Sequence, residues 1–554
     1  MSDRDCNLWA VRLSRRAFCG STIGLAATLS VAACSGNDAP SKSQENKASK
    51  AAAEAKFTSA DAALVKGSTP TSLKASQPRA VSAQVPQIPL ARNLSQALEV
   101  VRERTLRQAG WRNASSVTIT SQYIAASTDV IGVEVRAAVT VAGRTTTTPT
   151  ILWYDATMSQ TFSPSVLISW PGWDAFAKAV ASRAADQGLD AGKAAKALQD
   201  VAAPYGTGPA MGFGTDRAFI VSFPPGVLGT DFVQVTVDRQ VVSPLLSDLG
   251  AKAEGASNHP SAFSGTPSTT TVWYKAPNDR PAPSTSPNLH PLPGDSTATV
   301  PDDQSSPSPS ASGSASGSAS ASPAPKPIAH PTTAVGIDCN VVKAVALTFD
   351  DGPGSQTGQV IDDLNKVKGA ASFFQLGQAI DEHPEFTTLV AANGFEVGNH
   401  STTHPDLSTL SSDGVRRELA GNQDRIKKLI GRDPMLMRPP FGDHNAKVDQ
   451  VAEELNLAIV NWSVDTEDWK TKSTQKTQEK VFKDVPIYTG PIILMHDIHD
   501  FTVAAVPTIV STLTKQGYVL VTVSELTLNT GGLKTAHGYC RTTTLSQNGY
   551  LCKG

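Results

Sequence analysis

The sequence predicts an α/β fold: a parallel sheet, open or closed into a barrel, preceded by a smaller α+β segment. Three observations lead there. Seven strand-like runs alternate with helical runs between residues 335 and 529, and repeated β/α units bring parallel strands together. Two stretches rich in Ser, Ala, Pro, Lys and Gln, 34–89 and 255–334, hold too few large apolar groups to fold and so divide the chain. The length of 554 residues exceeds what one hydrophobic core supports.

The N-terminus carries an address. Ser14-Arg15-Arg16-Ala17-Phe18 precedes a short, small and apolar run from Gly20 to Ala33. A basic region before such a run reads as an export signal, and the paired arginines resemble a twin-arginine signal. The run ends in Val31-Ala32-Ala33-Cys34-Ser35-Gly36, which resembles a bacterial lipobox with Cys34 as the lipidated residue. The alternative is a simple cleavable signal with an incidental cysteine. The first reading makes 1–33 the signal and 34–89 a disordered tether that reaches from the outer face of the cytoplasmic membrane toward the wall. The formal net charge of -2 gives no reason to expect nucleic acid.

Residues 90–254 read as an α+β accessory domain. "LSQALEVVRERTLRQAG" has helical spacing at Leu98, Val101 and Leu106, with Ser95 as its cap. "VIGVEVRAAVTVAG" alternates like a strand entering a hairpin. "ILWYDATMSQTFSPSVLI" reads as a strand and turn, "WDAFAKAVASRAADQG" as a helix, and "AFIVSFPPGVLGTDFVQVTVD" as two strands about a Pro-Gly turn. No catalytic constellation stands out. Its last part, followed by "SPLLSDLG", resembles a domain found beside some wall deacetylases and in lysozyme-responsive anti-sigma factors.

After the Ser/Pro-rich linker 255–334, the segment 335–529 places strands at Val345–Phe349, Ala371–Leu376, Phe395–Gly398, Met435–Met437, Ala458–Val464, Ile492–Met495 and Val519–Val523. The clearest helix is "SSDGVRRELAGNQDRIKKLIG". Residues 530–554 form a tail in which Cys540 and Cys552 pair, closing a loop worth about 3 kcal/mol in the entropy model. Cys339 is then either free or the true partner of one of them.

In parallel α/β sheets function gathers at the carboxyl ends of the strands. Five polar clusters lie there: Asp350-Asp351; His400 to His404; Arg438-Pro439-Pro440-Phe441-Gly442; Asp465 to Trp469; and Leu494 to Asp497. Taken alone, Asp350-Asp351-Gly352-Pro353 is also ordinary turn chemistry. Taken together the clusters point to a metal. Two His four apart place both rings on one side of a helical turn, and with one carboxylate they form a two-His-one-carboxylate set. The other Asp of the pair is left for general-base work, because a ligated carboxylate is a poor base.

Thr348-Phe349-Asp350-Asp351-Gly352-Pro353, followed by the other four clusters in this order, resembles the NodB-homology polysaccharide deacetylases, carbohydrate esterase family four. The resemblance covers about Ile337 to Leu526. It implies a distorted (β/α)7 barrel and hydrolysis of an N-acetyl group on a glycan. It implies Asp350 as general base, and Asp351, His400 and His404 as ligands of one divalent metal, Zn first with Co, Ni or Fe also suited. Arg438 would orient Asp350. The backbone N–H of Phe441 would serve the oxyanion, and His496 would be the general acid. Asp468, or else Asp465, would hold His496, while Trp469 and Leu494 would wall the acetyl methyl. His383, His444 and His499 match no required position. Family members acting on N-acetylmuramic acid tend to carry Arg where this chain has Phe441, so the resemblance implies N-acetylglucosamine of peptidoglycan as substrate. Two other readings remain open: deacetylation of acetylxylan or chitin, and a wall-binding or lysozyme-sensing surface lipoprotein. Oligomeric state is not legible.

Overall fold

The computed structural model describes residues 54–169, 171–198, 208–266, 339, 342–528 and 531–540. Strands β1 (Thr69–Ala75), β2 (Ala80–Gln87), β3 (Ser116–Ala126), β4 (Val130–Val141), β5 (Arg144–Asp155) and β6 (Gln160–Phe162) form one sheet in that order. Strands β7 (Ala210–Phe213), β8 (Phe219–Phe223) and β9 (Val233–Val237) form a second, antiparallel sheet. The tether expected over 34–89 is therefore wrong from residue 54 onward, where Phe57 and Val65 are already buried and bridged to Gly214 and Phe263; residues 34–53 lie outside the described residues. Single apolar residues at alternate positions, Leu73, Val81, Ala83 and Val85, are buried. A period of two between Thr, Ser, Lys and Gln suffices for a half-buried strand, although the overall composition reads as unfolded.

The second half builds β10 (Ala344–Asp350), β11 (Ser372–Gln375), β12 (Glu396–Asn399), β13 (Leu436–Met437), β14 (Ala458–Val460), β15 (Val464–Asp465), β16 (Ile492–His496), β17 (Val519–Val521) and β18 (Gly538–Tyr539). The order is β15-β16-β10-β11-β12-β13-β14-β18, with β17 pairing the start of β10, and every pairing is parallel. Every residue of β10 is buried, as a strand covered on both faces requires.

This curled parallel sheet departs from seven regular units in two places. The single strand expected at 458–464 is broken, and its halves lie at opposite ends of the sheet order. Only Asn461, Trp462 and Ser463 separate Val460 from Val464, and so short a link holds β15, at one edge, within about 14 Å of β14, next to the other edge. The expected tail supplies β18, because Tyr539 is buried, its hydroxyl accepting from Lys534 N at 2.8 Å and donating to Gly532 O at 3.1 Å. Cys540 is disulfide-bonded; Cys552 lies outside the described residues. Cys339 keeps its thiol, buried and donating to Glu525 O at 3.6 Å.

The helix Arg92–Trp111 does not belong to a separate accessory domain. Its N-cap is Ala91 rather than Ser95, whose hydroxyl accepts from Ile88 N at 2.7 Å. Leu98 and Val101 share one core with Val345, Leu347 and Ile493. The helix lies across the amino ends of the strands: the Arg92 guanidinium donates to the carbonyls of Met435, Asn456 and Leu533, and Arg107 donates to Gly394 O at 2.5 Å. Arg432 bridges Glu99 at 3.0 Å and Glu103 at 3.1 Å, while Glu525 receives Arg104 at 3.0 Å and Arg107 at 2.5 Å. Glycines permit this approach and that of β1. A Cβ on Gly394 (φ 78°) would stand 2.1 Å from Glu103 O, and one on Gly431 (φ 75°) 2.0 Å from Ser72 O. An Arg- and Glu-rich helix normally reads as a solvated face; here Glu99, Glu103, Arg104 and Arg107 find counter-charges beneath the sheet, Arg102 pairs with Glu99 within the helix, and Arg92 takes backbone carbonyls.

Arg432→Met should therefore destabilise the full chain by about 3–5 kcal/mol, because it strands buried Glu99 and Glu103 without their common partner. Urea unfolding measures this, and a loss within error of zero would show the network to be dispensable.

Candidate functional site

The strand register assembles the site. Asp350 closes β10 directly beside His496, which closes β16. His400 follows β12, and Arg438 follows β13, its N–H donating to Asn399 O at 2.9 Å. The loops beyond these ends hold several non-glycine residues in the left-handed region: Asp351 (φ 70°), Ser401 (69°), His404 (60°), Phe441 (62°) and Glu467 (49°). Each such conformation costs on the order of 1–3 kcal/mol and persists only where the surroundings dictate it.

At 400–404 they do. The two His do not share a helical turn, as their spacing suggests, but sit on an irregular loop. Ser401 N donates to Asn399 Oδ1 at 2.9 Å and His404 N to Ser401 Oγ at 3.1 Å. Glu418 Oε2, on the helix Ser412–Ile430, accepts from Thr402 N at 2.9 Å and Thr403 N at 2.8 Å. These bonds, rather than helical periodicity, turn both rings toward β10.

His400 Nε2 and His404 Nε2 then lie 3.4 Å and 3.5 Å from Asp351 Oδ1. That oxygen is buried and has no hydrogen-bond partner. The other nitrogen of His400, Nδ1, is 2.7 Å from the Arg438 carbonyl. A carbonyl accepts only, so Nδ1 carries the proton and Nε2 keeps its lone pair for a cation. A buried, orphaned carboxylate oxygen facing two imidazole nitrogens is a donor set suited to a divalent metal. Burial favours the neutral form of Asp351, yet the three imidazoles that face it, His400, His496 and His404, hold its carboxyl well below the usual range. Burial, followed by the charge of His400, lowers His404.

Asp350 is engaged differently. Its Oδ1 accepts from Arg438 Nη1 at 2.7 Å, and its Oδ2 lies 3.8 Å from His400 Nε2. The same Nη1 reaches Thr348 Oγ1 at 2.7 Å, while Nε and Nη2 donate to Val460 O at 2.9 Å and Asn461 O at 3.1 Å. Phe374 and Trp462 flank the guanidinium, at 4.2 and 5.5 Å from ring centroid to Cζ. His496 Nδ1 is 2.8 Å from Asp468 Oδ1. Asp468 Oδ2 accepts from His496 N at 2.9 Å and Thr502 Oγ1 at 2.7 Å. Asp468 is thus the partner of His496. Asp465 is not: its Oδ1 accepts from Glu467 N at 2.8 Å, and burial raises its carboxyl.

Phe441 is 63% exposed, its ring edge-on to His404 at 4.7 Å between centroids. Leu494 is buried within β16, whereas Trp469 is 51% exposed on the short helix Asp468–Thr471 beyond β15. His383 and His444 pair with Glu385 and Asp449 respectively, and His499 stacks on Phe501. Thr348, Asn399, Glu418 and Thr502 escape a reading of the sequence, since nothing in a lone Thr, Asn or Glu marks it. The buried Asp497 beside His496 was legible only as part of a cluster.

Residues 338–460 match the polysaccharide deacetylase family model. A peptidoglycan-N-acetylglucosamine deacetylase of Bacillus cereus is 36% identical over 193 residues, 34% of this chain and 89% of that protein. The chain belongs to the polysaccharide deacetylase family. Other members include the peptidoglycan-N-acetylmuramic acid deacetylase of Bacillus subtilis, 40% identical over 33% of this chain, and a peptidoglycan-N-acetylglucosamine deacetylase of Listeria monocytogenes, 41% identical over the same share. The chain spans 38% and 39% of the length of these two relatives. Among solved structures, the Bacillus subtilis peptidoglycan deacetylase aligns over 35% of this chain and 93% of its own at 39% identity, with a TM-score of 0.33. Among the described residues, no helix is long and apolar enough to cross a membrane.

After loading with zinc and gel filtration, Asp351→Asn should retain almost no metal and Asp350→Asn close to one ion per chain, as read by plasma mass spectrometry. The reverse pattern would exchange the two assignments.

Proposed function

We propose that the chain is a metal-dependent hydrolase that removes N-acetyl groups from cell-wall peptidoglycan, with N-acetylglucosamine as the sugar acted on. The observation that carries this is the divergence of two adjacent carboxylates. Asp350 is bound to a guanidinium, while Asp351 faces two imidazole nitrogens. Asp351, His400 and His404 would hold one divalent cation, Zn first, with Co, Ni or Fe also suited to such a set. Bound there, the cation supplies Lewis acidity toward the acetyl oxygen and makes water more acidic.

The remaining groups move protons and hold position. Water adds to the acetyl carbon, the carbon–nitrogen bond breaks, and acetate and a free amine leave. Asp350 accepts the proton of the attacking water through Oδ2, because Oδ1 is held by Arg438. His496 donates to the departing nitrogen through Nε2, because Nδ1 is held by Asp468. Burial works against a charge on His496, but the hydrogen bond and charge of Asp468 prevail and push it up to about 9. It is therefore protonated, and able to act as an acid, at neutral pH. Phe441 N–H would donate to the developing oxyanion, and Leu494 with Trp469 would border the methyl group.

Sequence identity does not choose the sugar, since relatives named for either one are almost equally similar. Phe441 supports N-acetylglucosamine. Muramic acid carries a lactyl group whose carboxylate or peptide calls for a polar or cationic partner, and an apolar ring at that position offers none. We further propose that the chain is exported and anchored by lipid on Cys34, which lies outside the described residues.

Asp468→Asn removes both the hydrogen-bonded anion and its charge, so His496 should lose its proton at lower pH. The alkaline limb of the kcat/KM profile should move to lower pH, and an unmoved limb would exclude His496 as the acid. The reaction itself is tested on purified sacculi, treated and then digested with a muramidase that tolerates free amines. Acetyl should be missing from the glucosamine of the resulting muropeptides. Loss on muramic acid would overturn the sugar, and no loss at all the reaction.

A further inference from the structure

Beneath the turn that follows the carboxylate pair lies a group that the reaction does not use. Asp497 directly follows His496 and is fully buried. Its Oδ2 accepts from Thr357 Oγ1 at 2.5 Å. Thr357 has no exposed surface either, and the same hydroxyl accepts from Gly354 N at 2.9 Å. Asp497 Oδ1 is buried and has no hydrogen-bond partner. It lies against the backbone of Gly352, so close that a Cβ on that residue would stand 2.5 Å from it. The turn Gly352–Thr357 is thus fixed at two points by one carboxyl group: through the hydroxyl relay at Gly354 and by direct contact at Gly352.

The residue before Gly352 is Asp351, held at φ 70°. No single hydrogen bond from Asp351 explains that conformation, since its Oδ1 has no such partner. What dictates it is where the chain must go next. A buried carboxyl with so few partners carries a desolvation cost, and an apolar residue of similar size would fill the space without it. The placement makes sense if the carboxyl sets the turn.

We infer that Asp497 is a positioning residue: through Thr357 and Gly352 it holds Asp351 in the left-handed conformation that aims Oδ1 at His400 and His404. The inference rests on the proposed metal role of Asp351. Groups that orient metal ligands typically contribute about 10–100-fold in affinity, and this effect should appear in the full chain without any turnover.

The test is zinc affinity of the stripped full-length protein, by competition with a chromophoric chelator, alongside the melting transition of each variant. Asp497→Ala should weaken zinc binding by about 10–100-fold, and Asp497→Asn, which keeps an acceptor for Thr357, should largely retain it. Thr357→Val should reproduce the loss and Thr357→Ser should not; this second pair decides the matter if the Ala variant does not fold. Wild-type affinity in both Asp497→Ala and Thr357→Val, even with lowered melting temperatures, would overturn the inference and leave Asp497 a packing residue. Loss in Asp497→Asn equal to that in Asp497→Ala would overturn the hydrogen-bond relay. A wild-type chain that binds no zinc would instead overturn the metal reading itself, and this inference with it.

Discussion

One buried guanidinium ties the barrel to its chemistry. Arg438 has no exposed surface, and each of its three nitrogens reaches a different part of the fold. Nη1 holds Asp350 and Thr348 on the central strand, while Nε and Nη2 take the carbonyls of Val460 and Asn461. Those carbonyls lie where the chain leaves β14, beside its partner β18, to reach β15 at the far end of the sheet order. The Arg438 side chain satisfies these two acceptors at the turn. The backbone carbonyl of the same residue fixes the His400 tautomer at 2.7 Å. The course of the chain from β14 to β15, the orientation of Asp350 and the tautomer of His400 thus depend on one residue. Lys could not replace it, because a single ammonium lacks the planar fork that reaches all these acceptors.

The clusters at the strand ends were legible because chemistry and topology coincide there. Asp350 and Asp351 are adjacent in the chain, and a strand that ends between them sends one into the ladder and the other into a turn. The partner of His496 was not decidable between Asp465 and Asp468. Spacing of three residues brings either within reach, and only the course of the loop after β15 selects Asp468. The shape of the His400–His404 loop was misread because a separation of four residues is read by default as helix, whereas Asn399, Ser401 and Glu418 bend it otherwise. The break at 461–463 was hidden for a related reason. Ala458–Val464 is apolar at both ends, and nothing local reveals that the two ends pair with opposite edges of the sheet.

The floor of the barrel was not legible at all. A helix with Glu99, Arg102, Glu103, Arg104 and Arg107 within nine residues matches an exposed face. Its burial depends on counter-charges distant in sequence, Arg432, Glu396 and Glu525. Long-range pairing of this kind leaves no periodic trace. The same holds for β1 and β2, whose few apolar residues look inadequate until the helix and the barrel supply the other side of the core.

The charge balance of that floor bears on what it does for the site. Arg102, Arg104, Arg107 and Arg432 face Glu99, Glu103, Glu396 and Glu525, four guanidiniums against four carboxyl groups, all buried. β10 runs from Ala344 to Asp350 over seven residues, a rise of about 20 Å. At that distance a single unbalanced charge would act on Asp350 with on the order of 0.8 kcal/mol at an effective dielectric of about 20. Opposite charges within the cluster offset one another in part, although burial pushes Glu103 up to about 8 and leaves it largely neutral at pH 7. The network therefore has little leverage on proton transfer at the mouth, and its effect is geometric. Buried ion pairs contribute little net stability but penalise every misdocked arrangement heavily. They hold the helix in one register against the amino ends of β12, β13 and β14. Asn399, His400 and Arg438 stand at the other ends of the first two of these strands, so a helix that sets the strands also sets the spacing of the residues that meet at the site.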